Sequence, residues 1–192
     1  YKGYDTVDTV SYGLYAVSSA GVSTKLYSAA VGQYLDNISV YNGKVYFCRS
    51  TTGSEKGALM CYDPASGTFS TVYDGYIIES YCFYDGQLYA LAFTKYADKP
   101  SGYTYAFGRI VNGAFNAIRS DIPYSQVPNL VPYGWNGKIY FKMAELMVFK
   151  NEQGVESSVN IDKLYAYDIA SGNISKVCDY KINTSFFDGH VM

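Results

Sequence analysis

A single histidine and a single tryptophan stand in 192 residues, alongside 5 prolines, 4 cysteines and only 17% charged residues. One histidine excludes a multi-histidine metal site within the chain and limits any Ser-His-Asp arrangement to His190. The cysteines, Cys48, Cys61, Cys82 and Cys178, lack the C-x-x-C spacing of a zinc or redox motif. A net charge of −2, a pI near 5.3 and no basic cluster argue against nucleic acid as a partner. No apolar run approaches the roughly 18 residues that a membrane-spanning helix needs. Phosphate-loop, G-x-G-x-x-G, G-x-S-x-G and D-x-D-x-D-G motifs are all missing. The expectation is therefore no cofactor, no metal and no catalytic residue that the sequence can name. The chain begins at Tyr1 without a charged-then-apolar leader, which reads as a processed product or part of a longer chain.

What the chain has in excess is tyrosine, 23 residues of it, within an 18% aromatic and 48% hydrophobic composition. That much apolar surface supports a packed core and excludes disorder. A phrase recurs four times: YNGKVYF at 41–47, YDGQLYA at 84–90, WNGKIYF at 135–141 and FDGHVM at 187–192. Each copy is an aromatic, then Asn or Asp, then Gly, a polar residue and an alternating apolar run. Asn-Gly and Asp-Gly suit two-residue hairpin turns because both central positions take positive φ, and the run that follows is rich in strand formers. A second phrase, ALMCYDPASGTFSTV at 58–72, matches KLYAYDIASGNISKV at 163–177. GLYAVSSAGVSTKLY (13–27) is a shorter copy, and YTYAFGRIVNGAFNAI (103–118) the weakest. In it, Asp63 and Asp168 read as turn residues that fold a carboxylate onto nearby backbone N–H groups, with Gly67 and Gly172 in the left-handed position.

From Asn42 through Asp85 and Asn136 to Asp188 the intervals are 43, 51 and 52 residues. Each interval holds four short strands and no helical periodicity; the first reads as strands near 34–41, 44–50, 58–63 and 68–74. Four strands per repeat of this length predict an all-β β-propeller of four-stranded antiparallel blades. Blades are expected at about 34–75, 76–120 and 128–180, with half-blades at 1–33 and 181–192. The halves either join to close a four-bladed ring or end an arc of a larger one. The NGKVYF…LYAYDxASG pattern resembles bacterial β-propeller repeats of the quinoprotein-like and low-density-lipoprotein-receptor-like kind. The resemblance implies the fold and carries no cofactor or catalytic residue, since the tryptophan that closes quinoprotein repeats is missing.

In such a blade the tight turns fall at one end and the longer connections at the other. The longer ones read as 51–57, 95–102, 119–128 and 149–160, and a rigid scaffold presents binding residues on connections of this kind. The candidate ligand-binding residues are Tyr96, Asp98, Lys99, Asp121, Tyr124, Lys150, Glu152 and Glu156. Tyr96 and Tyr124 stand outside the repeat phrases, whereas Tyr46, Tyr89, Tyr140 and Tyr165 fall on strands where packing between blades accounts for them. His190 takes the place of Lys44, Gln87 and Lys138 and reads as a solvated strand start; Trp135 is the repeat's aromatic before the turn. If 44–50 and 58–64 form a hairpin centred between Ser54 and Glu55, Cys48 and Cys61 lie opposite each other and are the candidate disulfide. The alternative is two small core residues.

The function expected from this reading is a non-enzymatic binding or scaffold module, secreted or surface-displayed by a bacterium, that recognises a glycan or a protein through its long-loop face. The alternative from the enzyme class is a propeller lyase or glycoside hydrolase with two carboxylates near the disc axis. A third reading is an assembly subunit that completes its ring with a partner chain.

Overall fold

The computed structural model describes residues 2–5, 11–95, 103–123, 132–179, 186–187 and 190–191. Among the described residues the chain is all-β, and every strand pairing is antiparallel. Strands β1 (Lys2–Asp5), β2 (Ser11–Val17) and β3 (Ser23–Ser28) form a three-stranded sheet. The second sheet is β4 (Gln33–Tyr41), β5 (Lys44–Thr51), β6 (Lys56–Asp63) and β7 (Thr68–Tyr76). The third is β8 (Ile78–Tyr84), β9 (Gln87–Lys95), β10 (Tyr103–Val111) and β11 (Ala114–Pro123). The fourth is β12 (Tyr133–Trp135), β13 (Lys138–Lys150), β14 (Glu156–Asp168) and β15 (Ile174–Lys176). A two-stranded piece, β16 (Phe186–Phe187) with β17 (His190–Val191), follows. Each four-stranded sheet is a meander in chain order, and its limits fall close to those of one sequence repeat.

The turns explain that agreement. Asn42, Asp85 and Asn136 each have φ of 48°, followed by Gly43, Gly86 and Gly137 at 71–73°. Only a glycine, or an asparagine or aspartate that can bond locally, visits this region at low cost, so two such residues in succession mark the turn. The flanking residues pair directly, Tyr41 with Lys44, Tyr84 with Gln87 and Trp135 with Lys138. A fourth turn of the same kind, Asn112-Gly113, joins β10 to β11 inside what the sequence shows as the weakest copy of the second phrase. The Asp turns behave as expected. Asp63 Oδ1 accepts the Ala65 N–H at 2.9 Å, Asp168 Oδ1 accepts that of Ser171 at 2.9 Å, and Gly67 and Gly172 have φ of 70° and 73°. Lys44 and Lys138, the polar residues after two of the tight turns, pair with Asp63 (2.9 Å) and Asp168 (3.8 Å) across the same sheets.

Sheets pack face to face in chain order. Leu14 and Ala29 of the first meet Leu35, Phe47, Ala58 and Met60 of the second. Cys48, Leu59 and Tyr73 of the second meet Ile78, Tyr81, Leu88, Ala90 and Ala92 of the third. Tyr89, Leu91, Tyr105 and Phe107 of the third meet Ile139, Phe141, Met143 and Tyr167 of the fourth. Strand β9 shows the rule: Leu88, Ala90 and Ala92 point to one neighbour, Tyr89 and Leu91 to the other, so a period of two buries both faces. Burial of each large side chain contributes about 1.5–3 kcal/mol, and rings add their own geometry, with Phe107 stacked on Phe141 at 4.6 Å. First strands lie side by side, β4 against β8 and β8 against β12.

Two expectations are corrected. The stretch 1–33 supplies three strands rather than half a blade, because β1 pairs with β2 through Lys2–Leu14 and its neighbours. The first sheet and the β16–β17 pair are separate among the described residues, with no joint four-stranded sheet. The β5–β6 hairpin is also centred one residue earlier than predicted, between Gly53 and Ser54, because Gly53 takes the left-handed position (φ 73°). Cys48 therefore faces Leu59 and Cys61 faces Tyr46; both thiols are free and buried.

The aromatics before two of the tight turns, Tyr41 and Tyr84, each lock one sheet onto the next. Tyr41 stacks on Phe83 with centroids 4.3 Å apart. At the equivalent place on the next sheet stands Gly134, and Tyr84 lies against its backbone while its hydroxyl accepts the Gly137 N–H at 2.7 Å. A Cβ on Gly134 would run into the Cβ, Cγ and Cδ2 atoms of Tyr84. Gly134→Ala is expected to lower the urea midpoint by the equivalent of about 1–3 kcal/mol at unchanged slope. In a Tyr84→Ala background the same change should cost markedly less, and equal costs would show that the contact does not set the spacing.

Candidate functional site

The longer connections lie at the end of the sheets opposite the tight turns. Of the candidates there, Tyr96, Asp98, Lys99 and Tyr124 lie outside the described residues. Asp121 is in strand rather than loop: β11 runs to Pro123, with Arg119 opposite Phe107 and Ile122 opposite Tyr105. Lys150 and Glu156 are also strand residues, the last pair of β13 and β14, and form an exposed ion pair of 3.1 Å. Glu152 is exposed in the turn between them, where Asn151 Oδ1 accepts the N–H groups of Gln153 (3.0 Å) and Val155 (2.8 Å). The structure brings Lys150, Glu152 and Glu156 together at one hairpin tip.

That hairpin is the largest departure from the repeat. Its strands are 13 residues each and stay paired from Lys138–Asp168 to Lys150–Glu156, whereas β12 and β15 cover only three residues apiece. Residues 146–159 thus form a two-stranded arm beyond the sheet. Leu146, Met147, Val148, Phe149, Val155 and Val159 are between 44% and 60% exposed, an apolar surface that a solvated arm does not need. Met147, Val159 and Phe149 share one face and Leu146 and Val148 the other, by their pairing with Val159, Ser157, Asn160 and Ser158. A polar cluster fixes the arm's root. Glu145 accepts the Tyr165 hydroxyl, and Lys176 reaches both Glu145 oxygens (3.2 and 3.3 Å) and Asp179 (2.6 Å). The Tyr165 hydrogen bond, then Lys176, hold the Glu145 carboxyl below its ordinary range. The polar run KNEQGVESSVN made 149–160 look like loop; the signal for a hairpin was Asn151 and Gly154 flanked by Phe149 and Val155.

A second constellation escaped the sequence reading. Asp36 on β4 and Glu79 on β8 lie on the adjoining first strands of neighbouring sheets, where both strands carry a bulge: register shifts fall between Asp36 and Ser39 and between Ile78 and Ser80. Asn37 takes φ of 50° there, its Nδ2 donates to the Glu79 carbonyl at 2.7 Å, and its carbonyl accepts the Tyr81 hydroxyl at 2.5 Å. The Glu79 carboxyl is half-buried and pushed above its ordinary value, first by burial and then by the Asp36 charge. Burial pushes the neighbouring Cys48 thiol to about 12 despite a hydrogen bond from Asn37, so it is no nucleophile at neutral pH. The repeat itself carried this signal, since each carboxylate stands five residues before its turn aromatic, Tyr41 or Tyr84. Among the described residues no group of three His, Cys, Asp or Glu side chains could hold a metal ion, and no helix is long and apolar enough to cross a membrane.

Neither a protein-family profile nor a curated protein matches the chain. Among solved structures it is similar to that of MPT-4, a mannose phosphorylase from Leishmania mexicana, in complex with phosphate ion, with a TM-score of 0.43 and 14% identity. The match covers 91% of this chain and 64% of that one, so the chain spans less than two thirds of the neighbour's length.

Because Glu79 is raised above 4.5 in the fold, the stability it contributes is fully present below that value and is lost as pH rises through its folded pKa. Glu79→Gln should therefore stabilise the chain at pH 7 and leave it unchanged near pH 4. The difference between variant and wild-type urea midpoints across pH 4–8 reads this out. A flat difference would remove the carboxyl from the inter-sheet interface.

Proposed function

We propose that the chain is a non-enzymatic binding module of β-propeller architecture that engages a partner protein at its long-connection end. The single observation that carries this reading is the arm at 146–159, whose exposed apolar side chains stand on a backbone held by its own hydrogen-bond ladder. Rigid presentation lowers the ordering cost of association, and apolar side chains bordered at the tip by Lys150, Glu152 and Glu156 suit a protein surface with apolar and polar parts. A glycan, the other ligand expected from the sequence, is bound by stacked rings and convergent polar groups, and the arm offers only Phe149 for stacking. Propeller architecture is supported by the four-strand repeat, by the face-to-face order of the sheets and by adjoining first strands. Export to the bacterial cell surface comes with the family resemblance.

The test is a photocrosslinking residue at Phe149 in the chain exposed to surface extract of its source organism. A discrete protein adduct that Met147→Ser and Val159→Ser weaken together is the expected result. Binding to a glycan array with no adduct would replace protein by sugar, and neither would overturn the module reading. Deletion of 150–158 should abolish the adduct and leave cooperative unfolding intact, since the arm adds little to the three core clusters.

A second reading draws on Asp36 and Glu79. Two carboxylates on adjoining first strands, with Glu79 raised by burial, are the equipment of an acid–base pair, which a lyase or glycoside hydrolase near a disc axis would use. Under it, Glu79→Gln and Asp36→Asn would each abolish turnover in a reducing-end assay over a polysaccharide panel. Turnover that survives both changes would exclude the pair as its catalyst.

A further inference from the structure

In the second and third sheets the outermost strand covers its neighbour along its length. Strand β7 pairs with β6 from Tyr76–Lys56 to Thr68–Asp63, and β11 with β10 from Pro123–Thr104 to Ala114–Val111. In the fourth sheet β15 pairs with β14 only at Tyr165, Ala166 and Tyr167, although β14 begins at Glu156. One bond, from the Val177 N–H to the Leu164 carbonyl at 2.8 Å, extends that contact by a residue. Past it, among the described residues, no strand lies along the outer edge of β14 from Glu156 to Lys163. Residues 156–160 are exposed and 161–163 half-buried. In a strand the N–H and C=O of one residue point to the same side of the ribbon, and the sides alternate. At the tip the Val155 carbonyl accepts the Asn151 N–H at 3.1 Å, so odd-numbered residues of β14 turn toward β13. At the root the Leu164 carbonyl faces β15, so even-numbered ones turn outward, and no register shift interrupts the ladder between. Glu156, Ser158, Asn160 and Asp162 therefore hold their N–H and C=O groups toward an open edge, which is a template for another strand.

We propose, resting on the protein-binding reading above, that this edge takes up an extended segment of the partner by antiparallel strand addition. Main-chain hydrogen bonds then supply the attachment and alternate side chains the choice of segment. One face of β14 presents Glu156, Ser158, Asn160 and Asp162, and the other Ser157, Val159, Ile161 and Lys163. On the first face Glu156 has exposed Lys150 beside it at 3.1 Å, and Asp162 has no ion pair among the described residues. The segment therefore carries basic side chains opposite Asp162 and Glu156, and apolar ones opposite Ile161 and Val159. A second copy of this chain fits less well. Two-fold symmetry would set the first face of β14 against itself, and that face of the strand holds two carboxylates and no cation.

The test is an NMR titration with the peptide acetyl-KITVTTK-amide, whose first lysine stands opposite Asp162 and last opposite Glu156. Saturable shifts of the Ser158, Asn160 and Asp162 amide signals are expected, with a Kd of about 1 mM or tighter. N-methylation of the third and fifth peptide residues removes N–H groups that face β14 and should weaken binding about tenfold or more. Exchange of both lysines for glutamate should weaken it too, and Asp162→Lys should narrow or reverse that preference. Ser158→Pro removes an outward N–H and spares the ladder to β13, so it should abolish binding in a chain that still unfolds cooperatively. Asn160→Pro repeats the test in case the first variant does not fold. Absent or unsaturable shifts, undiminished binding of the N-methylated peptide, or binding retained in a folded proline variant would each overturn strand addition. So would dimerisation of the wild type in sedimentation that Ser158→Pro abolishes, which would assign the edge to a second copy. A Phe149 adduct undiminished by Ser158→Pro would overturn strand addition and leave the binding module standing. Peptide binding without any adduct would support the edge and count against the module reading alone.

Discussion

A backbone that must pass through two successive left-handed residues does so cheaply only at pairs such as Asn-Gly and Asp-Gly, and among the described residues this molecule depends on that constraint at four places. Each such pair fixes which residues stand opposite each other in the hairpin. Because side chains alternate, a slip of one residue would send every inward side chain to the other face. In β9 that slip would exchange Leu88, Ala90 and Ala92 for Tyr89 and Leu91, and two interfaces would fail together. Register within a sheet is thus the precondition for packing between sheets. The turn residues carry more of the fold than their exposed positions suggest.

Above the turns, the sheets hold one another through a small set of paired adjustments. Where the second sheet offers Tyr41, the third answers with Phe83 and the rings stack; where the third offers Tyr84, the fourth answers with Gly134 and the ring lies on backbone. The polar bridge from Asn37 and Ser39 to Glu79 and Tyr81 does the same work between the second and third sheets. A repeat protein assembled this way tolerates different side chains at one layer provided the facing layer compensates. Where the fourth sheet sets Tyr167 opposite Ile174, the third sets Ile110 opposite Phe115, so the ring moves from one strand to the next.

The arm sits where the repeat is broken, whereas the Asp36–Glu79 pair sits at one repeated position of two neighbouring sheets. The arm exists because β13 and β14 continue for several residues after their neighbours stop. The Asp36–Glu79 pair exists because bulges in two first strands re-aim residues next to a sheet boundary. Both are additions to a scaffold whose core clusters involve other residues. The fold therefore constrains the arm weakly and change there is structurally inexpensive, whereas the Asp36–Glu79 pair lies in the hydrogen-bonded boundary between two sheets.

Repeat length, strand number, the tight turns and the Asp turns were all legible in the sequence, because each rests on local backbone chemistry: positive φ at Asn-Gly, a carboxylate folded onto nearby N–H groups, and a period of two in the strands. Gly53 was equally local but competed with its polar neighbours, and the hairpin centre was misplaced by one residue, which separated Cys48 from Cys61. Other features depended on the tertiary structure. Lys150 and Glu156 looked like loop residues because polar side chains also suit strands solvated on both faces, and only their pairing with each other, continuing the ladder past Met147 and Val159, shows otherwise. Asp36 and Glu79 are separated by 42 residues, and nothing in a single repeat says that their sheets adjoin. Local conformation follows from neighbours along the chain; the meeting of side chains from different sheets follows from how those sheets stack.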